Sequence, residues 1–526
     1  MKNRNYPLYP VEQVDDLKEL VGVIAEKYGN APAFIYERKK ERISVSYLQF
    51  KADVEALGTV LWDMGLQNAT VAIIGENSYE WIATYFAVVN GGGTIVPLDK
   101  ELPAGEMQKL ILASGAQVLV HSNEYSDIAD FLQNGQAYTG QCINMRDVPA
   151  LLERGRALLQ SGATDYLRYE IDNSALAVIL YTSGTTGASK GVMLSHKGLA
   201  LNAMGASQNL SMPHSSLLVL PLHHSFAFTA GVVMMMLQGT AIAISYSLKD
   251  MQKDIQQYKP RNIFMVPLLI ETFYKKIIAA AKGNDDAEVL KKVASAAFGG
   301  NLATLASGGA PLDKKTIVGF RRIGVTVIEG YGITECSPVV SVNRNCFYRD
   351  GSVGQVLPCC EVKILDADED GIGEICVRGE NVMLGYYNDE AATREAFDGD
   401  WFKTGDLGYL DGDGFLFITG RKKNLIILSN GKNVSPEELE TALLRIDYIQ
   451  EALVYAEGDT ITAEVYLDNE HYPGCAARLA QDVEALNQTL ASYKNIGKTV
   501  IRKIEFPKTT TKKIKRKYTE GEKAYA

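Results

Sequence analysis

The first 180 residues alternate segments of helical hydrophobic spacing with short runs that are almost continuously apolar. The helical spacing covers 46–64 and 80–90, and the apolar runs lie at 69–74, 94–96 and 117–120. Short runs that are apolar on both faces are typical of strands in parallel sheets, because crossover helices cover both sides of such sheets. The alternation therefore predicts an α/β fold in which parallel sheets are covered by helices.

After about residue 350 the pattern changes. Glycines become frequent, and short alternating runs replace the helical spacing. This texture is typical of an antiparallel β region. Toward the C-terminus helices and strands alternate again, and Ser435 before Pro436 has the residue types that begin a helix. We therefore expect a large N-terminal domain over 1–420 with a β-barrel-like subdomain at about 351–420, followed by a small, mobile α+β domain over 424–526.

Composition restricts the classes of function. The 526 residues, 46% hydrophobic and 22% charged, are typical of a globular chain rather than a disordered chain, a fibre or a disulfide-stapled miniprotein. A net charge of −10 argues against a nucleic-acid partner, because nucleic-acid-binding domains usually carry a basic excess. The seven cysteines include no C-x-x-C pair, so reduced thiols in the cytoplasm are the simplest interpretation.

The longest apolar stretch, 226–246, is interrupted by Gly231, Gln238 and Gly239. A membrane span needs about 20 consecutive apolar residues, so this stretch predicts a buried helix followed by a strand. The N-terminus is polar and has no apolar core of a signal peptide. We therefore expect no integral membrane association.

A segment rich in glycine and hydroxyl groups directly follows the run 176–181, which is predicted to be a buried strand. Its glycines allow tight turns, so several N–H groups can converge on one anion, and Lys190 adds a positive charge. The segment predicts a cradle for a polyphosphate, although a plain glycine–serine surface loop would have a similar composition and the spacing differs from a Walker A loop. The residues assigned to the cradle are Thr182, Ser183, Gly184, Thr185, Thr186, Gly187 and Lys190.

The cradle segment, Tyr181-Thr-Ser-Gly-Thr-Thr-Gly-Ala-Ser-Lys-Gly191, resembles the phosphate loop of the adenylate-forming (ANL) superfamily of acyl-CoA synthetases, which includes peptide-synthetase adenylation domains and firefly luciferase. Further segments resemble motifs of this superfamily in the same order. They are Ser307-Gly-Gly-Ala-Pro311, Gly330-Tyr-Gly-Ile-Thr-Glu335, Lys403-Thr-Gly-Asp406, Gly420-Arg-Lys-Lys423 and Pro507-Lys-Thr-Thr-Thr-Lys-Lys-Ile-Lys-Arg516. The segments 381–387, 420–426 and 429–436 are most similar to the long-chain fatty acyl-CoA ligase branch.

The resemblance implies a nucleotide site. Tyr331 offers a π face on which adenine can stack, and Asp406 offers a carboxylate that can accept hydrogen bonds from both ribose hydroxyls. Arg421 is a rigid cationic fork suited to ribose or phosphate oxygens. Apart from the resemblance, Tyr331 could be a core ring and Asp406 an ordinary turn residue. The implied ATP and AMP ligands beyond the cradle are Gly308, Gly309, Ala310, Gly330, Tyr331, Gly332, Asp406, Arg421 and Asn433.

Four residues are implied to be catalytic. Glu335 is a hard oxygen ligand suited to Mg²⁺, which typically takes only one or two protein carboxylates, and Thr334 can donate to a phosphate. His224 matches a family histidine that meets the phosphate and the acyl carboxylate, with an exposed His223 expected beside it, whereas a lone histidine would by default be a core residue. Lys513 aligns with the lysine that neutralises charge as the adenylate forms, but Lys512 stands where many relatives have glycine and is the alternative inserting lysine.

The resemblance also implies a pocket, a channel and a hinge. The residues that match the border of acyl pockets are Phe226, Ala230, Pro338 and Val339. Gly431 and Lys432 match a channel for coenzyme A, and Lys423 matches the hinge at 421–423 before the C-terminal domain. A solvated charge is the plainer interpretation of Lys423, and it is compatible with a hinge, since hinges are often exposed.

The implied reaction is ATP-dependent acyl-CoA synthesis in two halves. The first forms an acyl-adenylate and pyrophosphate, and the second forms a thioester with coenzyme A and releases AMP. ATP, Mg²⁺ and coenzyme A are therefore expected, with a fatty or otherwise hydrophobic carboxylic acid as substrate and a repositioned C-terminal domain in the second half. Two alternatives remain open, an adenylation enzyme that loads a carrier protein and a catalytically silent nucleotide-binding protein.

Overall fold

A computed structural model of the chain describes residues 7–135, 138–182, 189–282, 284–429, 432–508 and 514–516. The chain forms two compact units. The large unit comprises Met1–Val362, Val377–Phe402 and Gly412–Leu416, and the small unit comprises Lys363–Cys376, Lys403–Asp411 and Phe417–Ala526. The domain boundaries expected from the sequence and the hinge at 421–423 stay predictions.

A seven-stranded sheet lies in the large unit. In spatial order its strands are β18 (Gly385–Tyr386), β8 (Lys190–Ser195), β7 (Leu176–Thr182), β4 (Thr94–Pro97), β3 (Thr70–Ile74), β5 (Val118–His121) and β6 (Gln141–Asn144). The strands β3 to β7 run parallel to one another, whereas β8 and β18 are added antiparallel at one edge. The parallel strands are largely buried, as the apolar runs predict.

A nine-stranded sheet forms the second layer of strands in the large unit. In spatial order its strands are β15 (Gln355–Val356), β14 (Val339–Val342), β13 (Thr326–Gly332), β12 (Thr304–Ser307), β11 (Asn262–Met265), β9 (Ser215–Leu218), β10 (Ala241–Ile244), β1 (Pro32–Arg38) and β2 (Glu41–Ser46). The six strands from β13 to β1 in this order run parallel, and the strands at both edges are antiparallel to their neighbours.

The helices of the large unit alternate along the chain with these strands, which confirms the predicted α/β class. They are α1 (Leu17–Tyr28), α2 (Tyr47–Asp63), α3 (Tyr79–Val89), α4 (Ala104–Ala113), α5 (Ser126–Asn134), α6 (Val148–Gln160), α7 (Asp165–Arg168), α8 (His196–Asn209), α9 (Met235–Leu237), α10 (Met251–Tyr258), α11 (Pro267–Ala280), α12 (Ala287–Ala297), α13 (Lys314–Arg322) and α14 (Glu390–Ala396). The helices α2 and α3 begin after serines whose hydroxyls accept the N–H groups of Gln49 and Trp81 at 3.1 and 3.2 Å.

The glycine-rich region contains the predicted strands. They form a five-stranded sheet in the order β16 (Cys360–Leu365), β17 (Gly373–Gly379), β20 (Trp401–Leu410) and β19 (Phe397–Asp398), with β21 (Leu416–Arg421) paired to β20. The residues of this sheet are divided between the two units. Short 3₁₀ turns lie at Asn123–Tyr125, Met145–Asp147, Thr334–Cys336, Lys422–Asn424, Cys475–Ala477 and Ser492–Lys494.

The apolar stretch 226–246 forms a buried helix followed by a strand, as predicted, but most of the helix is of an unexpected type. Phe226–Met234 is a π-helix, which continues into α9 before β10 begins. The Phe228 ring lies 3.7 Å from the Tyr85 ring of α3, centroid to centroid, so aromatic packing holds this helix. None of the helices in the described ranges is long and apolar enough to span a bilayer.

The small unit has α+β composition, as predicted for the C-terminal region. Beyond its share of the five-stranded sheet, its elements are β22 (Ile426–Ile427), β23 (Asn433–Val434), α15 (Pro436–Leu443), β24 (Ile449–Glu457), β25 (Thr460–Leu467), α16 (Leu479–Asn487) and β26 (Lys498–Arg502). The strand β24 pairs antiparallel with β25, and β26 pairs parallel with β25. The helix α15 begins at Pro436 as predicted, but the Ser435 hydroxyl does not cap it and donates instead to the Thr419 carbonyl at 2.7 Å.

A fully buried ion pair lies in the small unit, and nothing in the sequence pattern predicts it. Glu464 and Arg502 are each 1% exposed, and the guanidinium Nη1 donates to Glu464 Oε1 at 2.6 Å. The Arg502 Nε also donates to the Ile504 carbonyl at 3.1 Å, and the guanidinium lies 4.4 Å from the Phe506 ring centroid. Burying one charge without its partner is costly, so each member of the pair depends on the other.

We predict that Arg502→Met destabilises the small unit by about 3 to 5 kcal/mol, because it leaves the Glu464 carboxylate buried without its partner. Opening of the unit is measured by the rate at which a maleimide labels Cys475, a fully buried thiol of the C-terminal core. The matched control is Lys498→Met on the same strand, whose ion pair with Glu457 is half exposed and should matter little. Equal labelling rates in the two variants would contradict the prediction.

A second ionisable group with an unusual environment is Glu329 in β13. Burial, together with the nearby Asp350 carboxylate, raises the pKa of Glu329 from 4.5 to about 8, although the N–H groups of Gly351 and Leu312 donate to it. Between these two values the unfolded chain has released this proton while the folded chain retains it. The unfolding free energy therefore falls as the pH rises through this window.

We predict that Glu329→Gln reduces the decline in stability between about pH 5 and about pH 8, because an amide keeps the acceptor oxygen and has no proton to lose. The midpoint of urea unfolding is recorded across this pH range for the wild-type chain and the variant. Glu288→Gln, at an exposed position in α12, serves as the control and should leave the decline unchanged. The prediction fails if Glu329→Gln and the wild-type chain lose stability in parallel.

Candidate functional site

The predicted phosphate cradle connects two antiparallel strands of the large unit. Thr182, the last residue of β7, lies opposite Lys190, the first residue of β8. The Thr182 hydroxyl donates to the backbone carbonyl of Lys190 at 3.5 Å, which joins the two strands at the mouth of the loop. The other predicted ligands of this loop, Ser183, Gly184, Thr185, Thr186 and Gly187, lie outside the described residues.

The Lys190 ammonium lies over the ring of Tyr386, 4.7 Å from its centroid. This contact follows from strand register. Tyr386 in β18 is the partner of Val192 in β8, so Lys190 lies two residues from that partner, on the same face of the sheet. Such diagonal neighbours are within reach when one side chain is aromatic and the other is long.

The hydroxyl end of Tyr386 contacts Glu335, the predicted metal ligand. Its hydroxyl donates to Glu335 Oε1 at 3.0 Å. Burial raises the pKa of Tyr386, and the adjacent Glu335 carboxylate raises it further, so the phenol stays protonated and remains a donor. Tyr386 therefore links Lys190, at the mouth of the phosphate loop, to Glu335.

Two buried asparagines hold the backbone next to Glu335. Asn202 of α8 donates to the carbonyls of Cys336 and Val339 at 3.0 and 2.7 Å, and its oxygen accepts the Val339 N–H at 3.1 Å. Asn381 donates to the same Cys336 carbonyl at 3.0 Å. Both asparagines are fully buried, so the turn that carries Thr334 and Glu335 is fixed by hydrogen bonds shielded from water.

The glycines of the Gly330–Glu335 motif allow a close approach of two backbones. Gly330, Tyr331 and Gly332 end β13 and pair with β14. A Cβ atom on Gly332 would lie 2.1 Å from the Pro338 carbonyl oxygen, so no other residue fits there without a shift of the backbone. The structure thus brings together Gly332, Pro338 and Val339, which the sequence assigns to the nucleotide site and the acyl pocket.

The two glycines of the Ser307–Pro311 turn have different surroundings. A Cβ atom on Gly308 would lie 3.1 Å from Cζ of Phe226, so the side chain missing at Gly308 makes room for this ring. Gly309 has a φ of +87°, and a Cβ atom there would meet no atom within 4 Å, so this side of Gly309 is the open part of the turn, next to the exposed Ala310. Phe226 and Ala230, both predicted to line the acyl pocket, lie on the π-helix.

The two adjacent histidines differ from the expectation that His223 is exposed. The His223 side chain is 7% exposed, and its Nε2 lies 3.3 Å from Asp99 Oδ1. Burial, with the neighbouring His224, holds the pKa of His223 well below its usual value, so this imidazole is neutral. His224 is partly buried, and its ring centroid lies 4.1 Å from that of His223.

In the small unit, Asp406 and Arg421 form a close pair on the neighbouring strands β20 and β21. Arg421 Nε lies 2.6 Å from Asp406 Oδ1, and the Asp406 side chain is 5% exposed. The Thr404 hydroxyl accepts the Asp406 N–H at 3.1 Å, and Gly405 between them has a φ of +70°. Arg421 Nη2 also donates to the second oxygen, Asp406 Oδ2, at 3.5 Å, so the guanidinium contacts both carboxylate oxygens.

The remaining predicted residues of the small unit lie at its surface or outside the described residues. Lys423 is exposed, and partial burial of its ammonium, with the nearby Arg421, lowers its pKa. Lys432 is exposed and lies 5.7 Å from the Tyr493 ring centroid, and Asn433 is paired with Ile427. Gly431 and Lys513 lie outside the described residues.

The chain on either side of residues 509–513 is tied to acidic side chains of the small unit. Lys508 forms ion pairs with Glu451 and Glu505, and it pairs with Ile514 as an isolated β-bridge. After this bridge, Arg516 donates to Glu437 and Glu440 at 3.1 and 2.7 Å. In the sequence, the predicted Lys513 thus lies between the anchored residues Lys508 and Arg516.

Sequence reasoning missed Tyr386, Asn202 and Asn381. Asn381 and Tyr386 lie in a segment that contributed only to the resemblance, and Asn202 lies in a helix without any motif. The one available signal was the glycine before Tyr386. Gly385 has a φ of +141°, and a Cβ atom there would lie 2.9 Å from Thr393 Cγ2, which marks a constrained backbone.

The arrangement suits a magnesium ion that is held mainly by its substrate. Within the described ranges there is no group of three or more His, Cys, Asp or Glu side chains that could hold a metal. Glu335 alone fits Mg²⁺, because this ion is usually bound through one or two carboxylates plus phosphate oxygens and water. Glu335 Oε1 is occupied by the Tyr386 hydroxyl, and Oε2 is the oxygen left for such an ion.

Comparison with known proteins supports the motifs. A family model described as "AMP-binding enzyme" matches residues 23–387, and one described as "AMP-binding enzyme C-terminal domain" matches 423–526. The long-chain-fatty-acid–CoA ligase FadD15 of Mycobacterium bovis is 29% identical over 560 residues, which cover 92% of each chain. The long-chain-fatty-acid–CoA ligase ACSBG2 of Mus musculus is 28% identical, and the match covers 84% of this chain and 75% of that protein.

Solved structures show the same fold. ATP-bound MatB from Rhodopseudomonas palustris is 25% identical with a TM-score of 0.78, and the match covers 95% of this chain and 97% of that one. The o-succinylbenzoate coenzyme A synthetase MenE from Bacillus subtilis, in complex with ATP and a magnesium ion, is 26% identical with a TM-score of 0.75, over 94% and 98% of the two chains. The AMP-binding enzyme model matches well over half of the residues of this chain. The chain therefore belongs to the AMP-binding enzyme family, within the adenylate-forming superfamily of acid–thiol ligases.

Proposed function

We propose that the protein is an ATP-dependent acyl-CoA synthetase that acts on a fatty or otherwise hydrophobic carboxylic acid. The observation that carries the proposal is that one side chain, Tyr386, contacts Lys190 through its ring and Glu335 through its hydroxyl. A cation for phosphate oxygens and a carboxylate for magnesium thus lie within the region matched by the AMP-binding family model. The curated relatives named as long-chain-fatty-acid–CoA ligases support the choice of acid.

The first half of the reaction is an attack of the carboxylate oxygen on the α-phosphorus of ATP. A P–O bond to the acid forms, the P–O bond to the β-phosphate breaks, and pyrophosphate leaves. Both reactants are anions, so catalysis consists mainly of alignment and charge neutralisation. Lys190 would bind the departing phosphates, Thr334 would donate to a phosphate oxygen, and Mg²⁺ on Glu335 would offset negative charge. Lys513 would neutralise the carboxylate and the developing charge.

The second half is an attack of a thiolate on the carbonyl carbon of the adenylate. A C–S bond forms, the C–O bond to AMP breaks, and AMP leaves with the bridging oxygen. Coenzyme A is the proposed thiol, with Lys432 and Gly431 along its path. No covalent bond to the protein is required, so the cysteines need no catalytic role.

Nucleoside recognition is proposed for Tyr331 and Asp406. The Tyr331 ring would stack on adenine, and Asp406 would accept hydrogen bonds from the ribose hydroxyls. Arg421 supports this role, because its ion pair with Asp406 fixes the direction of the carboxylate.

A hydrophobic acid suits the residues proposed for the acyl pocket. The π-helix that carries Phe226 and Ala230 is apolar along its length, with Thr229 as its one hydroxyl residue. Phe226 packs on Gly308 and lies 5.6 Å from the Phe264 ring, centroid to centroid. No cationic side chain lies on this helix to bind a second carboxylate, so an aliphatic or aromatic tail is the better match.

We predict exchange of labelled pyrophosphate into ATP that depends on an added carboxylic acid. Reversal of the first half rebuilds ATP from the adenylate and labelled pyrophosphate, so exchange requires an acid that binds. A panel running from acetate and malonate to aromatic and long-chain acids is compared, and the hydrophobic acids should support the fastest exchange. Lys190→Ala should lower the rate at least tenfold through loss of a charge-assisted contact with phosphate.

Exchange that no acid supports, or exchange equally fast without acid, would contradict the proposal. The acceptor is then identified by offering free coenzyme A and a holo carrier protein with the best acid and detecting the thioester by mass spectrometry. We expect the acyl group on coenzyme A. Transfer to the carrier protein alone would replace the acyl-CoA synthetase by an adenylation enzyme that loads carriers.

A further inference from the structure

We propose that Tyr386 is a positioning residue with two separate tasks. This role rests on the proposed function and deepens it. The Tyr386 ring keeps the Lys190 ammonium apart from the Glu335 carboxylate, and the hydroxyl fixes the direction of that carboxylate. The first task concerns the affinity for the phosphates of ATP, and the second concerns the affinity for the divalent ion. The two tasks belong to different atoms of one side chain, so they can be tested separately.

The Tyr386 side chain contacts one positive and one negative group, Lys190 and Glu335. Lys190 lies 4.7 Å from the ring centroid, and the Glu335 oxygen lies 3.0 Å from the hydroxyl at the far end of the same side chain. In the described part of the chain, no ion pair joins Lys190 to Glu335. A direct pair would neutralise both groups, and a ligand would have to break it before binding. The face of the ring stabilises the ammonium without consuming its charge.

The Tyr386 hydroxyl orients the Glu335 carboxylate through a hydrogen bond. The Tyr386 phenol donates to Oε1 of Glu335 and leaves Oε2 for a metal ion. Carboxylates that bind metals are usually held by a second hydrogen-bonding group, and loss of this group typically lowers metal affinity by about 10- to 100-fold. Without the phenol, the Glu335 carboxylate can rotate away from the ion.

The position of Tyr386 is itself fixed by its neighbours. Its N–H donates to Thr393 Oγ1 at 2.8 Å, and the N–H of Tyr387 donates to the Gly191 carbonyl at 2.7 Å. Three residues before Tyr386, the Met383 N–H donates to the Glu335 carbonyl at 2.8 Å. The backbone around Tyr386 is thus tied both to β8, which carries Lys190, and to Glu335 itself.

Three variants separate the two tasks. Tyr386→Phe keeps the ring and removes the hydroxyl, whereas Tyr386→Leu removes both. Tyr387→Phe is the matched control, because it removes the hydroxyl of the adjacent tyrosine, which donates to the Ser114 carbonyl at 3.3 Å. Two binding measurements are made on the full chain, ATP affinity in EDTA by calorimetry and Mn²⁺ affinity in the presence of ATP by electron paramagnetic resonance. Thermal unfolding midpoints confirm that each variant is folded.

We expect Tyr386→Phe to weaken Mn²⁺ binding about tenfold while metal-free ATP affinity stays within about twofold. Tyr386→Leu should weaken both, because Lys190 and Glu335 would then pair. Tyr387→Phe should behave as the wild-type chain. A Tyr386→Phe variant with unchanged Mn²⁺ affinity, or an equal effect of Tyr387→Phe, would overturn the inference while leaving the proposed function intact. A wild-type chain that binds no ATP would overturn both.

Discussion

One tyrosine contacts a lysine through its ring and a glutamate of opposite charge through its hydroxyl, and each charge stays available to a ligand only if the two do not pair. Lys190 is 4.7 Å from the centroid of the Tyr386 ring, and Glu335 accepts the hydroxyl of the same residue at 3.0 Å. A polyphosphate needs the first charge, and its magnesium ion needs the second. Direct contact would cancel both, so an aromatic spacer keeps two opposite charges available at one edge of a sheet.

Close backbone packing provides the rigidity that this arrangement requires. Gly332 allows β13 to approach the Pro338 carbonyl, and Asn202 bridges the turn that follows Glu335 from the adjoining helix α8. These contacts are buried, so moving Glu335 would break hydrogen bonds that water cannot replace. A carboxylate of the small unit is held in a similar way, because the ion pair with Arg421 fixes the direction of Asp406. In both units the polar groups proposed to meet ATP are held by the protein before any ligand binds.

The elements of this fold could be predicted because their signals are local. Helical spacing, apolar runs and glycine clusters each depend on neighbouring residues, and the strands β3 and β7 occur within one residue of their predicted ranges. The motifs likewise marked Lys190 and Glu335 without any structure. Their connection through Tyr386 was not predictable, because it depends on β18 pairing with β8 in one register, almost two hundred residues away in the sequence.

The expectations that failed were also those that depend on tertiary contacts. His223 was expected at the surface, but the loop after β9 lies against Asp99, which follows β4 of the other sheet. The Ser435 oxygen was expected to accept an N–H of α15, but the hydroxyl donates to the Thr419 carbonyl and makes no cap. In each case the local pattern allowed two outcomes, and packing with distant residues decided between them.

The central claim is that the acid is activated as a mixed anhydride with AMP, and the fate of its oxygen tests this most directly. A carboxylic acid labelled with ¹⁸O at both carboxyl oxygens is supplied with ATP, Mg²⁺ and coenzyme A, and the nucleotide product is weighed by mass spectrometry. Attack on the α-phosphorus predicts AMP that carries one ¹⁸O atom, because the bridging oxygen leaves with phosphorus. Unlabelled AMP, or ADP with the label in inorganic phosphate, would contradict the account.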